Sequence, residues 1–397
     1  MDYLKVKDDF YWIGTKDINL KTFDIIMTTE YGSTYNSYLL EGSEAVAIFD
    51  TTKIAFAQDF IETIEQLIPV NKVKYLIISH TEPDHTGMIS ELLKVHPDII
   101  IVGTQIAINF LKEMVNTEFE SMAVKTGDKI SLGDKTLEFA SLPQLHWPDT
   151  MYTYIPEIKT VVTCDSFGAH FCPESMLLSE LPKDKEDDYN DALKYYFDVI
   201  LGPFKTFMQK GIQFVKDHDI DTIAVGHGPI IDTNIEGLLE KYDKWTVVPV
   251  RKDKVVIGYV SAYGFTKIMA ETLDKELTDH GIETMLFDLE VEDHSKVVAQ
   301  LDDAKGLLLG SPTILADAVF PVYDFLSKLY PITHHFLRSS AFGSYGWSGE
   351  AAANMIGRMN QLRMKTSDGF RAKFKPSETD LDGLKVWAKE YAERIKA

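Results

Sequence analysis

Four metal-binding side chains crowd into six residues directly after an apolar run. Val73 to Ser79 reads as a buried strand, and His80-Thr81-Glu82-Pro83-Asp84-His85 follows it, ahead of Thr86-Gly87. Polar groups packed at the end of a buried strand lose hydration that ordinary turn formation does not return, unless something binds them. The chain is therefore constrained to a fold in which a strand end opens into a polar pocket. Irregular backbone there aims alternate side chains inward, Pro83 stiffens the turn, and Gly87 permits a close approach before the next helix. Three more ligand types sit near the ends of apolar runs: His146 in Leu145-His146-Trp147-Pro148, Asp165 in Val162-Thr163-Cys164-Asp165, and His227 in Val225-Gly226-His227-Gly228-Pro229. Alone, each has a plainer reading as a hydrogen-bonded histidine or a turn-forming aspartate. With His80, Glu82, Asp84 and His85 they make seven ligands, which suits two metals.

At 397 residues the chain exceeds what one core usually serves, so two domains are expected, at about 1–250 and 254–397. The halves differ in grammar. The first opens with short β-rich runs, Tyr38 to Asp50 among them, and continues with a helix from Met88 to Val95 and a strand from Ile99 to Gly103. Asp188 to Asp217 has helical periodicity that Gly202-Pro203 should break. An apolar stretch, Pro249 and a charged triplet make Lys244 to Asp253 a short linker. Beyond it, strands at Lys254 to Val260, Thr284 to Leu289 and Gly306 to Gly310 alternate with helices at Lys267 to His280 and Ser295 to Ala304. That alternation predicts an α/β unit with a parallel sheet covered on both faces.

Composition removes several function classes. A formal charge of −21 repels a phosphate backbone, and no basic stretch offsets it, so nucleic acid is not an expected partner. No apolar run approaches the roughly 20 residues that span a bilayer, and the charged N-terminus lacks a signal-peptide core, which points to the cytoplasm. Cys164 and Cys172 are the only cysteines, too few for a disulfide framework or a Cys-ligated iron–sulfur module. A one-electron donor would be a separate protein.

In the second half, three loops each follow an expected strand, where an open parallel sheet binds ligands at its carboxyl edge. Ser261-Ala262-Tyr263-Gly264-Phe265-Thr266 opens into a helix, whose hydroxyls and N–H groups can hold a phosphate without a lysine. No Walker-type Gly-Lys-Ser/Thr occurs there. Ser311-Pro312-Thr313-Ile314-Leu315-Ala316 is the second loop. The third, Gly343-Ser344-Tyr345-Gly346-Trp347-Ser348-Gly349, joins small residues for backbone approach to aromatics that can stack on a planar ring. Core packing is the plainer reading of Tyr345 and Trp347 taken alone; the three loops resemble, in the same order, those of flavodoxins, which implies flavin mononucleotide (FMN).

The order His-x-Glu-x-Asp-His, followed by His, Asp and His at strand ends, resembles the metallo-β-lactamase-like αββα domain of flavodiiron proteins, or A-type flavoproteins. Hydrolases of that superfamily usually read His-x-His-x-Asp-His, so Glu82 is the telling substitution: a hard carboxylate there shifts preference from zinc towards iron. Thr34-Tyr35-Asn36-Ser37-Tyr38, Leu145-His146-Trp147-Pro148-Asp149 and Asp165-Ser166-Phe167-Gly168 look like landmarks of the family, and the three later loops are similar to those of flavodoxins. The resemblance covers nearly the whole chain. It implies that His80, Glu82 and His146 hold one iron, Asp84, His85 and His227 the other, and that Asp165 bridges them. One departure stands out. Many members read Asp-Trp-x-x-Arg-x-Phe-His-Gly near the N-terminus, whereas this chain reads Asp17-Ile18-Asn19-Leu20-Lys21-Thr22-Phe23-Asp24-Ile25, with Asp24 in place of the histidine.

The resemblance implies reduction of dioxygen to water, or of nitric oxide to nitrous oxide, with electrons passing from FMN to a two-iron centre. Rubredoxin, a reductase or a reduced deazaflavin are all compatible donors. The short charged linker leaves the flavodoxin-like half little reach over its own metal pocket, so a head-to-tail homodimer is expected. Two rival readings stay open: a metallohydrolase using metal-bound hydroxide, and a flavodoxin-like electron carrier whose metal domain only stabilises the fold.

Overall fold

A computed structural model describes residues 3–397, which cluster into two compact units that divide between Val247 and Val248. The first unit is built on two facing sheets. One has seven strands in chain order: Leu4–Lys7, Phe10–Trp12, Tyr38–Glu41, Val46–Phe49, Val73–Ile77, Ile100–Gly103 and Ser121–Ala123. Its first four strands are antiparallel, and the pairings from Val46–Phe49 onward are parallel. The other has five: Lys129–Ser131, Thr136–Ser141, Met151–Ile155, Thr160–Cys164 and Thr222–Val225, with only the last pair parallel.

The two-residue period of a strand explains the layers. Leu40, Ala47, Phe49, Tyr75 and Ile77 point to one core with Phe139, Ile155, Val162 and Ala224 of the other sheet. Their neighbours Leu39, Ile48, Leu76 and Ile101 pack outward against Phe60, Ile64, Leu92 and Leu111 of covering helices. Across the second sheet, Tyr152, Val161, Ile223 and Val225 meet Leu193, Met208, Ile212 and Tyr242. The result is a helix–sheet–sheet–helix sandwich. Strands covered on both faces are apolar at most positions, which is why they read as near-continuous runs.

Several expected elements change. The β-rich run Tyr38 to Asp50 resolves into a hairpin, Tyr38–Glu41 against Val46–Phe49, because Gly42-Ser43 turns the chain. The helix expected from Ser295 to Ala304 is His294–Ala299, and Ala304 opens the next strand. Asp302 and Asp303 suit a helix C-terminus poorly, and Asp303 instead pairs with Lys252 and Lys254. Those pairs also place Lys252 and Asp253 in the strand Lys252–Tyr259, so the connector after helix Ile235–Trp245 covers 246–251. The break at Gly202-Pro203 takes the form of a π-turn and a short 3₁₀ turn between helices Glu186–Tyr196 and Lys205–Asp217.

In the second unit all pairings are parallel, in the order Glu283–Asp288, Lys252–Tyr259, Ala304–Gly310, Arg338–Tyr345, with Lys365–Thr366 and Phe370–Lys373 beside the last. Val256, Leu307 and Leu309 face Val322, Phe325 and Met355 on one side. Val255, Ile257 and Leu308 face Met269, Leu273 and Tyr391 on the other. This is the doubly wound flavodoxin-like order, whose direction switches between Lys252–Tyr259 and Ala304–Gly310 and opens a crevice at their carboxyl ends. Among the described residues, no helix is long and apolar enough to cross a membrane.

Candidate metal centre and flavin loops

The ligand loop leaves the first sheet at Ile77 and is pinned at both ends. Ser79 N–H donates to Asp50 Oδ1 at 2.7 Å. The carbonyl of His85 accepts from Thr51 N–H at 2.7 Å and from Thr51 Oγ1 at 2.6 Å. Pro83 starts the one-turn helix Pro83–Thr86 that carries Asp84 and His85. Asp165 and His227 leave the second sheet from adjacent strands, and Met151 N–H reaches Ser79 O at 2.8 Å, joining the sheets beside the pocket. His227 Nδ1 donates to Thr34 O at 2.6 Å, which turns Nε2 inward. Asn36 Nδ2 clamps the same turn through Val225 O and Gly228 O. The Thr34 to Tyr38 segment thus has a mechanical role in aiming His227.

All seven expected ligands converge. Asp165 Oδ2 lies 3.0 Å from His146 Nε2 and 3.5 Å from His80 Nε2. Its Oδ1 lies 3.0 Å from His85 Nε2 and 3.5 Å from His227 Nε2. Glu82 Oε2 completes the first group, 2.9 Å from His146 and 3.4 Å from His80. Asp84 Oδ2 completes the second, 3.2 Å from His227 and 3.4 Å from His85. The ligand atoms of His80, Glu82, His146 and Asp165 lie close enough together to hold one ion, and those of Asp84, His85 and His227 another.

Two observations fit this site to cations. Neither carboxylate oxygen of buried Asp84 has a hydrogen-bond partner, a loss of several kcal/mol that a metal would offset. His85 Nε2 and His227 Nε2 face each other at 3.2 Å, so their lone pairs need a shared partner. In the metal-free protein protons play that part. Burial opposes protonation of His85, but Asp84 and Asp165 outweigh it and raise its pKa to about 10. Hydrogen bonds to Asp165 and Glu82 likewise outweigh burial and raise His146 to about 10. Burial works against ionisation of Glu82, yet His146 and His80 hold its carboxyl well below the usual range.

Five further residues line the site, of which only Trp147 and Asp24 are marked in the sequence. Trp147 Nε1 donates to Glu82 Oε2 at 3.1 Å; its place next to His146 was the available signal. Tyr196 and His170 are buried beside His227, with ring centroids 5.9 and 5.0 Å from it. The Tyr196 hydroxyl has no hydrogen-bond partner, and burial together with Asp165, Glu82 and Asp84 keeps it protonated. Lys53 bonds to Tyr35 OH at 2.6 Å and leans over the Phe23 ring. Asp24, at the tip of the hairpin Thr22–Phe23/Met27–Thr28, meets Glu82. Burial and then Glu82 raise its pKa to about 6.

The three later loops share the carboxyl edge of the second unit and are stitched together. Thr266 Oγ1 and Ser344 Oγ meet at 3.0 Å, and Thr313 N–H donates to Ser344 O at 2.9 Å. Ser311 Oγ accepts from Val319 N–H at 3.1 Å, and Ser261 Oγ from Lys267 N–H at 3.1 Å. Gly264, at φ +80°, turns the chain into helix Phe265–Asp279. The third loop begins inside the strand, which runs to Tyr345. Trp347, Leu315 and Tyr263 are 97%, 95% and 81% exposed along this edge. Large apolar side chains held out beside hydroxyls and a helix N-terminus fit a planar ring with a phosphate.

Two outcomes follow from this geometry. A Cβ at Gly226 would lie 2.8 Å from Asp165 Oδ1 and 3.0 Å from His85 Cε1, so Gly226→Ala should cost at least about tenfold in metal affinity, read by competition with a chelator. Retained affinity would show that the pocket yields. His85 and His146 have pKa values raised above the ordinary 6.5, so their ion-pair stability is fully present below that pH and is lost as pH rises through about 10. Metal entry at neutral pH must expel those protons. Adding ferrous ion to metal-free protein in weak buffer should acidify it, and affinity should rise from about pH 6 to about pH 8; binding without proton release would contradict the protonated pocket.

Comparison with known proteins agrees with both sites. Residues 34–228 match the model of the ODP family beta lactamase, and residues 257–387 match that of flavodoxin. The chain is 36% identical to flavo-diiron protein FprA2 of Clostridium acetobutylicum across the full length of both. It is 33% identical to type A flavoprotein fprA of Rhodobacter capsulatus over 97% of this chain and 90% of that one. Among solved structures it resembles rubredoxin oxygen:oxidoreductase from Desulfovibrio gigas, with TM-score 0.70, 26% identity and coverage of 99% and 98%. The flavodiiron protein from Giardia intestinalis gives TM-score 0.68 and 26% identity over 100% and 98%. A lactamase-like unit with two metal-ligand sets, joined to a flavodoxin unit and matched end to end by named relatives, leaves one assignment: the chain is a member of the flavodiiron protein family, oxidoreductases that carry FMN and a diiron site.

Proposed function

We propose that this protein reduces dioxygen to water, working in the cytoplasm as a head-to-tail homodimer supplied by a separate one-electron donor. The observation that carries the reading is the division of the four ligand histidines, two by two, about the two oxygens of Asp165. His80, Glu82 and His146 would hold one iron, Asp84, His85 and His227 the other, with Asp165 shared. When bound, two ferrous ions supply two electrons and a fully reduced flavin two more, the four that dioxygen needs to become water.

Protons distinguish the two candidate gases. Dioxygen takes up four on its way to two waters, whereas two nitric oxide molecules take up two on their way to nitrous oxide and water. The pocket is furnished with proton-bearing groups: the unpartnered Tyr196 hydroxyl, the Lys53 ammonium and the Asp24 carboxyl, which holds its proton up to about pH 6. The name of the Desulfovibrio relative, with its rubredoxin donor and oxygen acceptor, supports the same direction. For the dimer, the support is exposed apolar surface beside each site: Ile25 and Ile26 at 93% and 82%, next to Asp24, and Trp347 and Leu315 on the flavin loops.

Anaerobic protein given a chemically reduced donor should turn over dioxygen faster than nitric oxide in the same preparation. Turnover of nitric oxide alone would overturn the dioxygen reading, and hydrolase activity with zinc would overturn both. Glu82→His should favour zinc and lower gas reduction by about a hundredfold while flavin stays bound; unchanged iron and turnover would make the carboxylate incidental. For the dimer, an Asp165→Ala chain mixed with a Tyr345→Ala/Trp347→Ala chain should regain activity that neither parent has. Mixed dimers that form yet stay inactive would place electron transfer within each chain.

A further inference from the structure

Three ring nitrogens converge on Glu82 Oε2. His146 Nε2 lies 2.9 Å from it, His80 Nε2 3.4 Å and Trp147 Nε1 3.1 Å. The first two nitrogens belong to the ligand set, and a metal sharing them would take Oε2 as its carboxylate donor. The indole is different, because Trp carries an N–H donor and no lone pair to give a metal. Its N–H is already directed at the oxygen from outside the ligand cluster.

The loop that presents this indole is held stiffly. Trp147 O accepts from Gln144 N–H at 2.8 Å and from Thr150 Oγ1 at 3.0 Å. Thr150 Oγ1 also reaches Leu145 O at 2.9 Å. Consecutive residues of one pinned turn therefore place a metal ligand, His146, and a hydrogen-bond donor, Trp147, on the same carboxylate oxygen. The ring meets two aromatic neighbours edge-on, His80 at 6.2 Å and Phe110 at 6.5 Å between centroids. Among the described residues, its indole N–H bonds to Glu82.

We infer that Trp147 is a positioning residue that fixes Glu82 through Oε2 and sets how strongly that oxygen donates to the iron held with His80 and His146. The inference rests on the diiron reading above. A donated N–H draws electron density from a carboxylate oxygen, so the oxygen stabilises a ferric ion less than an unbonded carboxylate does. Trp147 thus offsets part of the ferric preference that a carboxylate brings to this position and keeps the iron reducible by the flavin. It also keeps Glu82 from swinging out of the ligand set.

The test uses holoenzyme and a double-mutant cycle. Trp147→Phe keeps an aromatic ring and removes the N–H. Its expected effect is about a tenfold shift towards the ferric state, a fall of about 59 mV in the midpoint potential of one iron. In a Glu82→Asp background, where the shortened carboxylate withdraws from the indole, Trp147→Phe should add almost nothing. Equal effects in both backgrounds would make Trp147 a packing residue and overturn the inference, as would an unchanged or raised potential. Should Trp147→Phe fail to fold, zinc-substituted wild type gives the answer: the Trp147 indole N–H should be protected from hydrogen exchange, and fast exchange would overturn the proposal. Wild type that binds no iron would bring down the diiron reading itself, whereas iron-loaded wild type with an unresponsive variant would remove only the role of Trp147.

Discussion

Asp165 is the constraint on which the rest of the first unit depends. It is buried, its two oxygens face different pairs of histidines, and those histidines hold its carboxyl well below the usual range against the effect of burial. A buried carboxylate in that position is tolerable only if positive charge surrounds it on both sides. In the metal-free protein protons on His85 and His146 supply that charge; in the working protein two metal ions would. Everything around it serves to hold the positive groups at the right distance.

The sandwich supplies that precision from rigid parts. Ile77, Cys164 and Val225 end strands of two facing sheets, and the ligands lie just beyond those ends. Because the sheets pack through side chains such as Phe49, Phe139 and Val162, the spacing between loops is set by a dense core. Hydrogen bonds from His227 to the Thr34 carbonyl, from Ser79 N–H to the Asp50 carboxylate, and from the Thr51 hydroxyl to the His85 carbonyl then fix the angle of each loop. Gly226 shows how little room remains, since one methyl group there would touch both Asp165 and His85. The second unit follows the same logic at the carboxyl edge of its parallel sheet, where Thr266, Ser344 and Thr313 tie three loops into one surface.

Much of this was legible in the sequence, for identifiable reasons. The ligand loop stood out because four ligands after a buried strand have no cheaper explanation, and the βαβ rhythm after Lys254 because strand and helix periods differ. The hairpin between Tyr38 and Phe49 was hidden, since strands covered on both faces carry no alternation to mark where one ends. Trp147, Tyr196 and His170 were hidden for another reason: their partners are distant in sequence. Trp147 meets a carboxylate 65 residues away, and its place beside His146 does not say which group its indole would reach. Asp24 was visible as a departure from a family pattern, but its contact with Glu82 depends on a hairpin that the sequence leaves unmarked.

The central claim is that one chain holds a flavin and a pair of irons bridged by Asp165. Metal and flavin analysis of iron-replete protein, combined with Mössbauer spectroscopy, tests it most directly. The account predicts about two irons and about one FMN per chain, with the irons magnetically coupled when oxidised. Coupling should disappear in Asp165→Ala while flavin content is unchanged. Protein that takes up only zinc from iron-replete medium, or two irons that show no coupling, would contradict it.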